Sequence, residues 1–161
     1  MILPIITHPN NILIEVSEKI PSIELLKEKT QKLIDNMIDT MYSDDGIGLA
    51  APQVGENIRL FVMGKDAFKK HKLPQENIAL INPRWEPISR KKAWDTEGCL
   101  SVPKTYGKVK RHKDIKVIAT DRAGHEITFE AHGFLARVIQ HEVDHLDGVL
   151  FIDKAKGIYS I

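Results

Sequence analysis

Cysteine, long apolar runs and excess charge are all scarce in this sequence, and each scarcity excludes something. Cysteine occurs once, at Cys99, so no intramolecular disulfide can form and the chain suits a reducing compartment. A lone thiol is then either a small buried side chain or a chemical one. No apolar stretch approaches the ~20 residues that span a bilayer. The start, MILPIITHPNNILIEVS, has neither a basic leader nor the apolar core of a secretory signal. The expected location is cytoplasmic, with no membrane partner. Charge is nearly balanced, 23 Lys and Arg against 22 Asp and Glu, so no overall field selects DNA or an anionic membrane. A chain of 161 residues fits one domain, 1–161, able to bury roughly 70% of its unfolded surface.

What is present has a readable period. From Ser22 to Tyr42, Leu26, Leu33, Met37 and Met41 recur at helical spacing, flanked by Ile34 and Ile38, which predicts one helix stopped by DDG at 44–46. Short extended candidates follow: IRLFVM at 58–63, IALINP at 78–83, a stretch before Cys99, and IKVIAT at 115–120 facing HEITFE at 125–130. The last two are joined by DRAG, a hairpin turn. From Phe134, the residues Leu135, Val138, Ile139, Val143 and Leu146 restore a helical period, and Gly148 suits the position just past the helix end.

That second helix carries QHEVDHLDG, 140–148. His141 and His145 fall one turn apart, roughly 6 Å along the axis and on one side, so both imidazoles can grip one ion. Glu142 would then lie beside the metal without being needed as a ligand. A charged helix surface explains the same string, so the third ligand matters. A histidine at 151 would complete the long zinc-protease motif, but that position is Phe151. No Glu, His or Cys follows His145, and Asp147 and Asp153 sit too close to the helix end to curl back. The third ligand is expected upstream, where Cys99 in TEGCLSVP would give a Cys-His-His set with one position open, the pattern of catalytic sites. A buried, inert cysteine is the alternative.

GIGLAAPQ at 46–53, EGCLS at 97–101 and QHEVDHLDG at 140–148 closely resemble the three signature motifs of the peptide deformylase family, in that family's order. The resemblance extends from HP near the start to GVLFID at 148–153. It implies Cys99, His141 and His145 as metal ligands, Glu142 as the catalytic acid and base, and Gln53 with the backbone N–H of Leu100 as oxyanion donors. It implies Fe(II) as the native metal, with Zn(II), Ni(II) or Co(II) as substitutes. The implied substrates are nascent N-formylmethionyl polypeptides, and the implied products are formate and a free amine. Longer members of the family continue into a C-terminal helix linked to ribosome docking, whereas this chain ends at Ile161. A transient ribosome contact would then fall to another surface. Residues 104–116, with six Lys or Arg in thirteen, are either such a surface or a solvated hairpin.

The residues themselves agree with this chemistry. A glutamate next to a metal ligand can take a proton from water and return it to a departing amine. Gly46 and Gly48 permit close approach of another backbone, as when an extended peptide adds to a sheet edge. Ile47, Phe134, Val138 and one side of His141 would line the pocket for a methionine side chain, or serve as ordinary core. Glu97 paired with Arg111 would brace the site, while Asp144, one residue off the ligand face, is expected in a cap or surface salt bridge. The expected fold is α+β, with short, mostly antiparallel strands around a central metal-binding helix and the 22–42 helix packed outside. Two other functions compete: a metallopeptidase cleaving internal peptide bonds, and a noncatalytic metal-binding module. The first lacks its downstream ligand, and the second lacks a fourth protein ligand and any use for Gln53 and Glu142.

Overall fold

The computed structural model describes residues 1–161. Its eight strands are β1 (Gly48–Ala50), β2 (Leu60–Met63), β3 (Ile78–Pro87), β4 (Lys92–Cys99), β5 (Val102–His112), β6 (Asp114–Thr120), β7 (Glu126–His132) and β8 (Lys156–Ser160). Its α-helices are α1 (Ser22–Leu25), α2 (Glu28–Ser43) and α3 (Gly133–Leu146). The strands form two sheets, ordered β1-β2-β3-β6-β7 and β4-β5-β8, and every strand pair is antiparallel. Helix α3 touches β1, β2, β3, β6 and β7 of the larger sheet and β5 of the smaller. The fold is α+β, and α3 lies between the sheets.

The larger sheet is covered on both faces, which explains why β2 reads as a continuous apolar run. All four residues of β2 are buried. Side chains alternate along a strand, so Leu60 and Val62 join Ile34, Met37 and Met41 of α2. Phe61 and Met63 join Leu135, Ile139 and Leu146 of α3. Each such side chain, fully buried, contributes about 1.5–3 kcal/mol. In β3 the register shifts between Ile81 and Arg84 at Asn82, whose φ is 50°, a conformation that asparagine tolerates. The Asn82 amide then binds both the N–H and the carbonyl of Ile20 at 2.9 Å, tying the N-terminal segment to the sheet.

The predicted helix over 22–42 is in fact two. Lys27 is extended, with φ −66° and ψ 146°, and Leu26 is exposed. Two side chains of the next turn take carbonyls that a continuous helix would use. Thr30 Oγ1 donates to the Glu24 carbonyl at 2.8 Å, and Gln31 Nε2 donates to the Leu25 carbonyl at 3.0 Å. This is side-chain competition with the helix ladder.

Both long helices end in the same double hydrogen bond. After α2, Gly46 N–H donates to Met41 and Asp45 N–H to Tyr42. After α3, Val149 N–H donates to Asp144 and Gly148 N–H to His145. This is the Schellman arrangement, which needs a left-handed residue. Gly148 fills that position with φ 74°, and a Cβ there would meet the Ile14 carbonyl oxygen at 2.5 Å. In DDG the left-handed residue is Asp45, φ 55°, and the glycine follows it.

Candidate active site

Consecutive turns of α3 carry His141 and His145, whose rings meet edge to face with centroids 5.0 Å apart. Cys99 ends β4 where the β4–β5 register shifts between Gly98 and Cys99. Its Sγ is 3.3 Å from His145 Nε2. One ligand atom from each of the three residues falls within 4.8 Å of the others. Tetrahedral sites built from such donors separate them by about 3.5 Å, so the cluster fits a single ion. The donor set also fits, because one thiolate and two imidazoles suit borderline and soft divalent metals.

The brace behind this cluster is ionic and buried. Glu97 Oε1 is 2.9 Å from His141 Nδ1, which leaves the other ring nitrogen for the cluster. Arg111 donates to both Glu97 oxygens, Nε to Oε2 at 2.7 Å and Nη2 to Oε1 at 2.9 Å. Arg137 Nη1 donates to Oε2 at 2.7 Å. The remaining Arg111 donor reaches Asp144 Oδ2 at 2.7 Å, and Lys154 lies 3.0 Å from the same oxygen. Burial alone would raise the Glu97 pKa, but the hydrogen bonds from Arg111 and His141 outweigh it and hold this carboxyl far below the usual range. A permanently charged carboxylate on Nδ1 fixes a ligand ring's orientation.

Burial separates the other titrating groups. It pushes the Glu142 carboxyl up to about 7, with His141 and Arg111 opposing and Glu97 assisting. Glu142 is 2% exposed, and its Oε2 has no hydrogen-bond partner. The same burial, helped by the charges of His141 and Arg111, pushes His145 well below its ordinary value. In His141 burial loses: hydrogen bonds with Cys99 and Glu97, and the nearby Glu142, push it up to about 10. A buried carboxyl poised near neutrality and lacking a partner is suited to exchanging protons with a bound molecule.

A cleft of about 480 Å³ opens onto these groups. Its walls include Ile47, Gly48, Gln53, Cys99, Leu100, Phe134, Val138, His141 and Glu142, so nine of the sequence-predicted residues converge there. His145 lies behind them, 1% exposed. Gly48 has a steric reason to be glycine, since a Cβ would stand 3.2 Å from the Glu142 carboxylate. Gln53 is held at both ends of its amide. Its Oε1 accepts from Ala50 N–H at 2.9 Å, while Nε2 donates to Ser101 Oγ at 3.1 Å and to Cys99 Sγ at 3.5 Å. Leu100 N–H, in the β4–β5 turn, makes no backbone hydrogen bond. Strand β1 is the edge of its sheet.

Two residues outside the predicted set belong to the site, and a third that was predicted elsewhere joins them. Arg137 also donates to the carbonyls of Val109 and Ala93, both at 2.8 Å, joining α3 to β5 and β4. It sits one turn before His141, a spacing readable in the sequence. Ser101 is fully buried and steadies Gln53. Asp144 corrects an expectation: the side chain assigned to a cap or surface salt bridge is only 13% exposed and pairs with the buried Arg111. The reason is that β5 passes close beside the helix there and supplies Arg111 from within.

A Cys-His-His cluster able to hold a metal ion, with an adjacent high-pKa carboxyl at the head of a cleft on an α+β scaffold, is the arrangement suited to a metal-dependent hydrolase. Comparison with known proteins narrows the class. The family model described as polypeptide deformylase matches residues 2–159. Peptide deformylase from Hydrogenovibrio crunogenus is 46% identical, covering 97% of this chain and 87% of that protein. The one from Thermodesulfovibrio yellowstonii is also 46% identical, with 95% and 88% covered. The crystal structure of peptide deformylase from Thermotoga maritima superposes with a TM-score of 0.86 at 36% identity, covering 97% and 99% of the two chains. The chain belongs to the polypeptide deformylase family.

Proposed function

We propose that this protein removes the N-formyl group from the formyl-methionine end of newly synthesised polypeptides, releasing formate. The observation that carries the reading is the convergence of Cys99, His141, Glu142 and Gln53 on one cleft, with His145 completing the Cys-His-His cluster behind it. We further propose that residues 1–161 act as one catalytic domain in the cytoplasm, with transient ribosome contact where nascent chains emerge. No helix is long and apolar enough to cross a membrane.

In this reading Cys99, His141 and His145 hold the metal, which we assign as Fe(II), with Zn(II), Ni(II) or Co(II) able to replace it. When bound, such an ion supplies Lewis acidity, making water a nucleophile at neutral pH and polarising the formyl oxygen. The protein's own groups do the rest. Glu142 accepts the proton of the attacking water at its unpartnered Oε2 and delivers it to the amine nitrogen as the C–N bond breaks. Gln53 Nε2 and Leu100 N–H donate to the charge developing on the formyl oxygen, each worth about 2.7–4 kcal/mol. Ser101 holds the Gln53 amide in plane, and the weaker 3.5 Å contact to Cys99 Sγ is the one exchanged for substrate. Ile47, Phe134 and Val138 receive the methionine side chain. Gly48, at the free edge of β1, pairs with the peptide backbone, which reads an extended chain without regard to its later side chains.

The test is formate release from a short formyl-methionyl peptide, using protein prepared without oxygen and loaded with Fe(II) or Ni(II), beside a chelated control. Metal-dependent formate is expected. Folded, metal-loaded protein that yields none would refute the assignment.

A further inference from the structure

The outer face of the smaller sheet carries a pattern that formyl hydrolysis does not use. Residues 90–116 contain nine Lys or Arg against three Asp or Glu, a net +6, in a chain whose total is +1. The remainder is therefore −5, and within the smaller sheet itself Lys92, Lys104, Lys108, Lys110, Arg111 and Lys156 stand against Asp95 and Glu97, a net +4. Antiparallel partners share a face. Lys92 pairs with His112, Trp94 with Lys110, Thr96 with Lys108, Lys108 with Lys156 and Tyr106 with Tyr159. One face thus presents Lys92, Lys108, Lys110 and Lys156 together with Trp94, Tyr106 and Tyr159. The carboxylates of β4, Asp95 and Glu97, alternate to the opposite side.

Two further observations separate this face from an ordinary solvated one. Trp94 is 45% exposed and Tyr159 52%, although large aromatics are usually buried. Lys156 Nζ stands 5.2 Å from the Trp94 ring centroid, and Tyr106 and Tyr159 lie 5.8 Å apart. In addition, Lys116 and Lys154 nearby are paired with Glu86 and Asp144, whereas no carboxylate lies within 4.0 Å of the four lysines on the face.

We propose that this face binds single-stranded RNA. Unpaired lysines supply sequence-independent attraction to phosphates, and exposed aromatics on a sheet supply platforms for unstacked bases. Trp94 stands opposite Lys110 and Tyr159 opposite Tyr106, four residues apart on β5, so the two aromatic groups are offset by about 13 Å along the strands, and each can stack an unpaired base. An acidic protein partner would engage the lysines and leave Trp94 and Tyr159 unused. An anionic bilayer would find no aliphatic side chain among these to insert. Of these lysines and aromatics only Tyr106 also lines the cleft; the inference stands apart from the hydrolytic reading because Trp94, Tyr159, Lys92, Lys108, Lys110 and Lys156 do not.

The experiment measures binding of a fluorescently labelled oligouridylate to the full, metal-loaded chain by anisotropy over a range of salt. Four phosphate contacts predict a slope of log K against log salt near −3, roughly −0.7 per contact. Trp94→Ala is expected to weaken binding about 5- to 150-fold, the range for one stacked base, while Trp94→Phe retains most of it. Lys108→Gln with Lys110→Gln should halve the salt slope. Formate release should stay unchanged in all three, which also shows that they fold. Absence of binding at low salt, undiminished binding by Trp94→Ala, or equal affinity for a heparin fragment that lacks bases would each overturn the proposal.

Discussion

Helices α2 and α3 are nearly the same length, 16 and 14 residues, and each presses one face into the larger sheet, yet they bury different chemistry. Where α2 buries polar side chains, they are satisfied locally. Thr40 Oγ1 donates to the Asn36 carbonyl at 2.7 Å and accepts from Leu3 N–H at 2.8 Å, and Asn36 Oδ1 accepts from the N-terminal ammonium at 3.1 Å. Helix α3 buries Glu142 and His145 with polar atoms left without partners, against an ionic network that holds its ligands in place. Unpaired buried polar groups cost stability, and Glu142, whose Oε2 is unpaired, lines the cleft, where a bound molecule can supply the partner. The difference marks α2 as a support and α3 as the working element.

The most direct way to break that contrast is Glu142→Gln. Loss of the proton carrier should lower kcat by about 10²–10⁴-fold with metal content unchanged, as read by formate release and metal analysis. Surviving turnover would remove the distinction between the helices. Arg111→Met tests the network instead. It leaves Glu97 and Asp144 buried without their shared cation, which should cost about 3–5 kcal/mol and release metal at the same time, measured by denaturant unfolding with metal analysis. Met37→Ala sharpens the comparison from the α2 side. A cavity at this fully buried residue should cost about 2–5 kcal/mol, but kcat per folded molecule and metal content should both hold.

The smallest effect lies at the start of α3, where His132 Nδ1 is 2.8 Å from Asp114 Oδ1. That hydrogen bond lowers the Asp114 pKa from 3.8, against the opposing effect of burial and with help from Ser89. A depressed carboxyl stabilises the fold above its unfolded pKa and loses that contribution as pH falls through the folded value. Because His132 is 48% exposed on its side chain, the contribution is screened and worth less than about 1 kcal/mol. Unfolding midpoints measured from pH 6 down to 3 should fall slightly more in wild type than in His132→Ala. Equal slopes would remove Asp114 from the acid sensitivity.

Much of α3 is legible in the sequence alone. Its helical period, the one-turn spacing of His141 and His145 and the glycine at 148 are local features, and local features survive in sequence. Strand β2 and the β6–β7 hairpin were legible for the same reason. The Glu97–Arg111 pair was legible as a brace, and it is buried, but Arg137 was harder: no local rule puts an arginine inside, and only the meeting of β5, β4 and α3 around Glu97 holds it there. Strand β8 escaped because all five of its residues are exposed and leave no alternation to detect. The break at Leu26–Lys27 escaped because Thr30 and Gln31 act through carbonyls several residues away, which a periodicity count does not register.

The left-handed turn at Asp45 carries a consequence for how this protein can vary. It releases the chain directly into Ile47 and β1, where Leu49 packs toward α2 and the next residue, Ala50, packs toward α3. One residue gained or lost between Ser43 and Gly48 would exchange those two sides and carry Gly48 away from Glu142. The segment can therefore accept changes of letter far more readily than changes of length. Insertions and deletions should be absent from this stretch among functional variants, even where substitutions are common.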